Sequence, residues 1–517
     1  MTSATAEPSP PSPANPTPGE SPKSAVVVAP SAPVDKPVKQ PFHRRHRKKL
    51  IALAVLLLFP IFLHFTIVLT TRITPPQLGA APAGQVEERG DVRWFNQSYA
   101  TQRGKIQEVR LVGDPEQIGH AMAKLLYSQM VQGERQLFTM FETLVPIAPL
   151  RWMIMDFARV LHRGADRQMS PDRLREIAAE ARAFSPDPFQ DRFPTFQRLV
   201  YLNSLYDIAL GFEHSPMLGC TSFAATGPAT VGGHTILARN FDFEAGPAFD
   251  DGKVVYLVFE EGKIPFASVA WPGLVGVFSG MNQKGLSVVI HGGRARDTRA
   301  EGEPVVHTTR ALLSEASTVE EAVAMLEKRQ PMVSHILMLA DASGKSAIVE
   351  RAPGEKPFVR WNEGPIFPLT NHFEGPFASD PKNISVRQHT STLPRRERLD
   401  ELLAEGKPID ASRAIEILRD KHGVGGKDLP LGTRSTLDAV IATHSVVMDS
   451  TDLVIWVSEG PHLMGRYVAF DLKKLLDLSY DPSSSPTPLV TLPADPAYVD
   501  GSYQKWVDAG SPHQGAM

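Results

Sequence analysis

His214–Glu244 reads HSPMLGCTSFAATGPATVGGHTILARNFDFE. Cys220 in this stretch is the only cysteine of the 517-residue chain. Thr221–Thr226 and Thr235–Phe243 alternate as strands, and Gly227-Pro228 and Gly232-Gly233 carry the turn chemistry of a hairpin between them. Arg239, Asn240 and Asp242 lie on the second strand. A regular strand turns Arg239 and Asp242 to opposite faces, so a bulge or strand end is expected to bring both to one site. A thiol beside a cation is the arrangement of a cysteine nucleophile, because the thiolate is the reactive form. A lone cysteine is also an ordinary small core residue, and the stretch by itself leaves both readings open.

Downstream, short β-branched or aromatic runs separated by Gly and Pro predict strands at Lys253–Glu260, Phe266–Trp271, Val275–Ser279 and Gly285–His291. Further strands are expected at His335–Ala340, Ser346–Arg351 and Arg466–Leu472, with a hairpin of Ala442–Met448 and Leu453–Val457. Helices are expected over Thr308–Glu315, after a Thr318/Glu321 capping box, and over Pro394–Leu403 and Ala411–Arg419. Hairpins with helices in separate blocks predict an α+β fold of antiparallel sheets.

Upstream, Asp114-Pro115-Glu116-Gln117 reads as a capped helix start, and Ser170-Pro171 opens a second helix to about Phe184. The segment before Cys220 reads as helical. Still earlier, residues 1–49 are rich in Pro, Ser and Ala, lack apolar periodicity and end in the basic cluster His43–Lys49; they read as a disordered tail. Residues 50–71 begin LIALAVLLLFPIFLHFTIVLT, a run with no Asp, Glu, Lys or Arg and long enough to cross a bilayer. The basic flank precedes it, which predicts a cytoplasmic N-terminus, a single pass and an exported remainder. An uncleaved signal anchor fits the long basic approach better than a cleaved signal peptide. Residues 72–95 read as a tether, 96–219 as a helical part and 220–517 as a strand-rich part.

The formal net charge of −3 gives no argument for a nucleic-acid partner. One cysteine excludes an intramolecular disulfide and multi-cysteine metal sites. No G-x-S-x-G elbow, H-E-x-x-H motif or phosphate loop is present, and no metal or cofactor is expected. His291, His335, His372 and His444 fall on separate predicted elements.

Five motifs carry a family resemblance. They are GCTSF with ARNFDFE around Cys220, LVGDPEQIGHAMAKLL at Leu111–Leu126, GMNQKGL at Gly280–Leu286, LTNHF at Leu369–Phe373, and STLPR at Ser391–Arg395. Together they resemble the cysteine-type N-terminal-nucleophile (Ntn) hydrolases: the acyl-CoA:6-aminopenicillanic acid acyltransferase, choloylglycine hydrolase and acid ceramidase-like families, the first most closely. The resemblance runs from about Val109 to Leu472. It implies a four-layer αββα sandwich and self-cleavage between Gly219 and Cys220. It further implies a nucleophilic Cys220 whose freed α-amine is the base, supported by Arg239 and Asp242. Asn282 and Asn371 are the implied oxyanion donors, and Arg395 a supporting arginine with Arg396 and Arg398 as competitors. The implied activity is hydrolysis or transfer of the acyl group of a small, non-peptide amide, and membrane anchoring suggests a lipophilic one. Two alternatives remain at this point: a papain-like Cys/His hydrolase using His372 or His444, and a non-catalytic membrane-tethered binding module of the same fold.

Overall fold

A computed structural model describes residues 47–211, 218–243, 248–299 and 301–513. The Pro-rich tail up to residue 46 and the segment 212–217, just before the expected cleavage point, lie outside the described residues. The chain divides into two units, residues 1–63 and 64–517. The first holds most of helix α1 (Arg47–Thr70), which contains Pro60, buries no residue and is long and apolar enough to cross a membrane.

The second unit is a mixed helix and sheet body. Its larger sheet has eleven strands. In chain order they are β1 (Glu87–Arg89), β2 (Val92–Phe95), β3 (Ser98–Arg103), β4 (Ile106–Gly113), then β7 (Val254–Glu260), β8 (Phe266–Ala270), β9 (Ser279–Asn282), β10 (Ser287–Gly292), β11 (His335–Ala340), β12 (Ser346–Arg351) and β13 (Phe358–Trp361). They stand side by side in that order, antiparallel except for β4 and β7, which run parallel. The smaller sheet has seven strands. Its members are β5 (Leu218–Gly227), β6 (Gly233–Phe243), β14 (Ile366–Leu369), β15 (Ala442–Asp449), β16 (Val454–Ser458), β17 (Tyr467–Asp471) and β18 (Thr491–Leu492). In space the order is β14-β5-β6-β15-β16-β17-β18.

Alternation sorts the strand residues between faces. Val255, Leu257, Val289 and Met338 of the larger sheet share one core with Ala224, Leu237, Val446 and Val457 of the smaller. The intervening Tyr256, Val258, Val288 and Leu337 pack instead against helices α2 (Pro115–Leu144), α4 (Pro171–Ala183), α7 (Val305–Glu315) and α8 (Val319–Leu326), through Ile118, Met122, Ile177, Leu312 and Leu326. On the far face of the smaller sheet, Phe223, Ala225 and Ala238 meet Leu399, Ile415 and Leu418 of α9 (Thr392–Leu403) and α10 (Ala411–Leu418). The expected start of α2 is present: Gln117 N–H donates to Asp114 Oδ1 at 3.0 Å, and Asp114 N–H donates to Gln117 Oε1 at 3.0 Å.

Three expectations are corrected. The part before Cys220 is not simply helical, for β1–β4 extend the larger sheet. Their pattern is masked by buried polar residues that satisfy one another: Tyr99 Oη donates to Glu108 Oε1 at 2.8 Å, and Arg103 Nε donates to Glu108 Oε2 at 2.6 Å. Residues 72–95 are not a loose tether. Ile73 is buried, Gln197 Nε2 donates to Thr71 O at 2.9 Å, and Gly79 N–H donates to Glu116 Oε2 at 2.9 Å. The run Val275–Phe278 is apolar because it is buried, not because it is a strand; Val277 N–H donates to Val306 O at the start of α7.

Candidate active site

The β5–β6 ladder sets the site. Gly219 pairs with Asp242, Cys220 with Phe241, Thr221 with Asn240 and Ser222 with Arg239. Directly opposed residues share a face, so Cys220, Ser222, Arg239 and Phe241 lie on one side and Gly219 and Asp242 on the other. The bulge expected to unite Arg239 and Asp242 is absent here; the ladder slips only near Ala225 and Gly227. The two residues instead approach the Gly219–Cys220 bond from opposite faces.

On the thiol face, Cys220 is fully buried, and Arg239 Nη2 lies 3.6 Å from its sulfur. The guanidinium is fixed by neutral acceptors: Phe278 O at 2.9 Å, Ile290 O at 2.8 Å and Ser279 Oγ. Its carbon sits 4.2 Å from the Phe241 ring centre. None of these acceptors is a carboxylate.

On the other face, α9 supplies Arg395. Its guanidinium donates to Cys220 O, to Thr221 Oγ1 at 3.0 Å and to Asn371 Oδ1 at 2.9 Å. Its competitors point elsewhere: Arg396 pairs with Glu374 and Asp400, and Arg398 with Asp420 and Glu401. Asn371 Oδ1 also accepts the Cys220 backbone N–H at 2.6 Å, while Asn371 Nδ2 donates to Gly292 O at 3.0 Å. Burial pushes the Asp242 carboxyl up to about 7; Asp438 adds to this, while Arg395 and Arg239 pull it down.

Asn282 is not brought into this group. Its amide donates to Leu313 O at 2.9 Å and Ala316 O at 2.7 Å, and its oxygen accepts the N–H groups of Lys284 and Leu286. These four bonds use the amide's two donor hydrogens and both acceptor lone pairs. Asn282 therefore ties the β9–β10 turn to the end of α7 and has no donor free for an oxyanion.

The histidines of the papain-like alternative are engaged elsewhere. His444 Nε2 bonds Ser279 Oγ at 2.9 Å, and His372 Nδ1 bonds Thr392 Oγ1 at 3.0 Å. Burial holds His444 well below its ordinary range and His372 at about 4. His291, likewise depressed by burial and by Arg239, bonds Ser222 Oγ at 2.6 Å. None of these contacts reaches the sulfur.

Several residues at the site carry no local sequence signal. Ser279 links Arg239 to His444. Tyr206, on α6 (Leu205–Gly211), packs its ring on Phe241 and Phe278, and its hydroxyl is buried without a partner among the described residues. Burial and then the Cys220 charge raise the Tyr206 phenol well above its usual range. Trp271 joins Phe241 to Phe249. Trp271, Phe249, Leu202 and Leu274 line a cavity of about 130 Å³, with Gln129, Gln132 and Gln136 of α2 on its wall. Only a fold that gathers distant segments assembles these.

Among the described residues, His234, Asp449 and Asp452 form the group able to offer a cation three ligand atoms. His234 is the second residue of β6, seven residues from Phe241, about 23 Å along an extended strand, so the group stands apart from the thiol.

Residues 230–437 match the family model described as "Acyl-coenzyme A:6-aminopenicillanic acid acyl-transferase". The match begins beyond Cys220 and includes Arg239, Asp242, Asn282, Asn371 and Arg395. An uncharacterized protein of Archaeoglobus fulgidus is 24% identical over 292 residues, 50% of this chain and 47% of that protein. The chain thus spans about half the length of that curated relative. Among solved structures, the N-acylethanolamine-hydrolyzing acid amidase ortholog of Caenorhabditis elegans is 18% identical, covering 45% of this chain and 93% of its own, with a TM-score of 0.33. Penicillin V acylase of Agrobacterium tumefaciens is 19% identical over 50% of this chain and 88% of its own, with a TM-score of 0.35. A conjugated bile acid hydrolase variant of Clostridium perfringens is 16% identical over 53% and 97%, also with a TM-score of 0.35. The resemblance carried by the motifs around Arg239, Asn371 and Arg395 is to the acyl-coenzyme A:6-aminopenicillanic acid acyl-transferase family, whose model the chain matches over residues 230–437.

Proposed function

We propose that this chain is a cysteine Ntn hydrolase of αββα layering that cuts itself between Gly219 and Cys220 and then acts on acyl amides. The observation that carries the reading is the Cys220 backbone N–H held on Asn371 Oδ1 at 2.6 Å while the thiol of the same residue faces Arg239. One residue is thereby held at both the atom that would attack and the nitrogen that would become its base.

In maturation the Cys220 sulfur attacks the Gly219 carbonyl, and its proton passes to the departing Cys220 nitrogen. The C–N bond breaks as the C–S bond forms. Water then hydrolyses the thioester, leaving the Gly219 carboxylate, a free thiol and a free α-amine. Asp242, lying against Gly219 and titrating near neutrality, is suited to exchange the protons of these steps. The thiol is fully buried in the uncut chain.

In turnover the α-amine, with an ordinary pKa of about 8, takes the thiol proton. The sulfur attacks the amide carbonyl, Arg239 favours the thiolate, and Asn371 Nδ2 moves from Gly292 O to the oxyanion. The α-ammonium protonates the leaving amine, and water or another acceptor takes the acyl group from the thioester. The reaction as written needs no cofactor. Phe241, Trp271 and the cavity behind them suit an apolar acyl group of a small, lipophilic amide. Helix α1 anchors the enzyme by a single pass, with the N-terminus cytoplasmic and the body exported.

Intact-mass analysis and N-terminal sequencing of the purified protein test this reading. Two fragments are expected, the larger beginning at Cys220, and Cys220→Ala is expected to remain one inactive chain. Active wild-type protein with an uncut Gly219–Cys220 bond would overturn it. A reporter fused after Leu472 is expected to be active only outside the cytoplasm.

A further inference from the structure

Helix α3 (Ala148–Leu161) is inside out. Its polar residues face the protein: Asp156 and Arg159 are buried, as is the following His162. Arg159 stacks over the Phe193 ring at 3.8 Å, and the His162 ring meets Tyr201 edge-on. Its large apolar residues face outward, with Trp152 65%, Met153 67% and Phe157 61% exposed, alongside Leu150, Val160 and Leu161. An amphipathic helix of a water-soluble body has the reverse polarity, and apolar patches this continuous mark contact surfaces.

The neighbouring element is the apolar helix α1. His64 of α1 bonds Asp156 at 2.8 Å, and its ring stacks on Trp152. His64 lies six residues before the end of α1, about 9 Å along the axis, so α3 meets the apolar helix within its apolar length. Just beyond α1, Thr71 and Ile73 are buried in the body and bound through Gln197. The acid of α3 is turned inward, while Arg163 at its end is exposed.

We propose that α3 is a second membrane element, lying in the plane of the bilayer with its Trp152–Met153–Phe157 face among the acyl chains. The proposal rests on the reading of α1 as a membrane span. A helix with one apolar face and inward-turned polar groups suits the boundary between head groups and chains, and the adjoining indole suits the same depth.

The full chain, reconstituted in phosphatidylcholine vesicles with brominated acyl chains, tests this by tryptophan quenching. Helix α1 contains no tryptophan, so the anchor itself is silent. Wild-type emission is expected to show a quenched component, strongest with bromines near the head-group end of the chain. Trp152→Phe is expected to lose that component, and Met153→Glu to weaken it while co-flotation with vesicles persists. Co-flotation with equal quenching in wild type and Trp152→Phe would overturn the α3 proposal and leave the anchor standing. Failure of the wild type to co-float would overturn both. Protection of Trp152 by a second copy, seen as a cross-linked dimer without quenching, would also overturn it.

Discussion

Gly219 lies directly opposite Asp242 in the β5–β6 ladder, and a Cβ built on Gly219 would stand 3.2 Å from Asp242 Oδ2 and 3.8 Å from Arg395 Nη2. The residue before Cys220 is thus small because Asp242 and Arg395, which flank the bond proposed to be cut, close over it. Gly219→Ala must push back a buried carboxylate. Overpacking of this kind costs about 1–3 kcal/mol, which in a barrier is roughly five- to more than a hundredfold. Self-cleavage of Gly219→Ala is expected to slow by that order in a time course on denaturing gels, while the uncut chain still folds. Cleavage at the wild-type rate would show that contact with Asp242 does not shape the reaction.

Asp242 also predicts a pH dependence. Its carboxyl rises from 3.8 to about 7 in the fold, so over that interval the folded chain binds more protons than the unfolded one. Stability therefore falls as pH rises from about 4 to about 7, and each unit of difference is worth about 1.4 kcal/mol. Asp207, whose carboxyl accepts the Val305 N–H, is also raised to about 7 by burial, so the test is a difference. In the uncut Cys220→Ala background, Asp242→Asn is expected to flatten the decline in denaturation midpoint between pH 5 and 7.5. An unchanged slope would assign the titration to other groups.

The two asparagines of the family motifs part company. Asn371→Ala removes the group that holds the Cys220 nitrogen and is proposed to meet the oxyanion. Its kcat is expected to fall about 100- to 1,000-fold. Asn282→Ala removes a brace: the Leu313 and Ala316 carbonyls lose their partner, at a cost of about 1–3 kcal/mol for each group left unsatisfied. It is expected to lower the melting temperature, while protein that matures keeps near-wild-type kcat. The reverse pattern, a stable Asn282→Ala with collapsed kcat, would return Asn282 to the chemistry.

Local sequence signals were sufficient for part of this arrangement. The hairpin was legible from its turn residues and the Asp114 cap from its capping box, and the strand period put Arg239 and Asp242 on opposite faces, but the bulge expected to unite them is absent. Arg395 was legible only as one of three neighbouring arginines. Its distinction is burial against Cys220 O, which depends on how α9 packs on β5. Asn282 misled because an Asn-x-x-Gly turn looks the same whether its amide is free or bound by a helix end. Strands β2–β4 were hidden because Tyr99, Arg103 and Glu108 pair with one another inside the sheet. Tyr206 and Trp271 reach the site from segments with no motif at all.

Cleavage after Gly219 should not separate the products. Strand β4 belongs to the smaller fragment and β7 to the larger, yet they pair in parallel along Gln107–Gly113 and Val254–Glu260. Nearby, four buried charges straddle the same boundary. Arg173 and Glu176 lie on α4, while Glu260 and Arg310 come from β7 and α7. Arg310 donates to Glu176 at 2.8 Å and to Glu260 at 3.0 Å, and Arg173 contacts both carboxylates. Removing one partner of such a cluster strands a buried charge, which costs about 3–5 kcal/mol. The matured fragments are therefore expected to co-elute on size exclusion and to separate only in denaturant. Arg310→Met should lower the denaturant needed and leave cleavage of the freshly folded chain intact, because Arg310 does not touch Cys220. Fragments that part in native buffer would mean that neither the shared sheet nor the charge cluster holds the enzyme together.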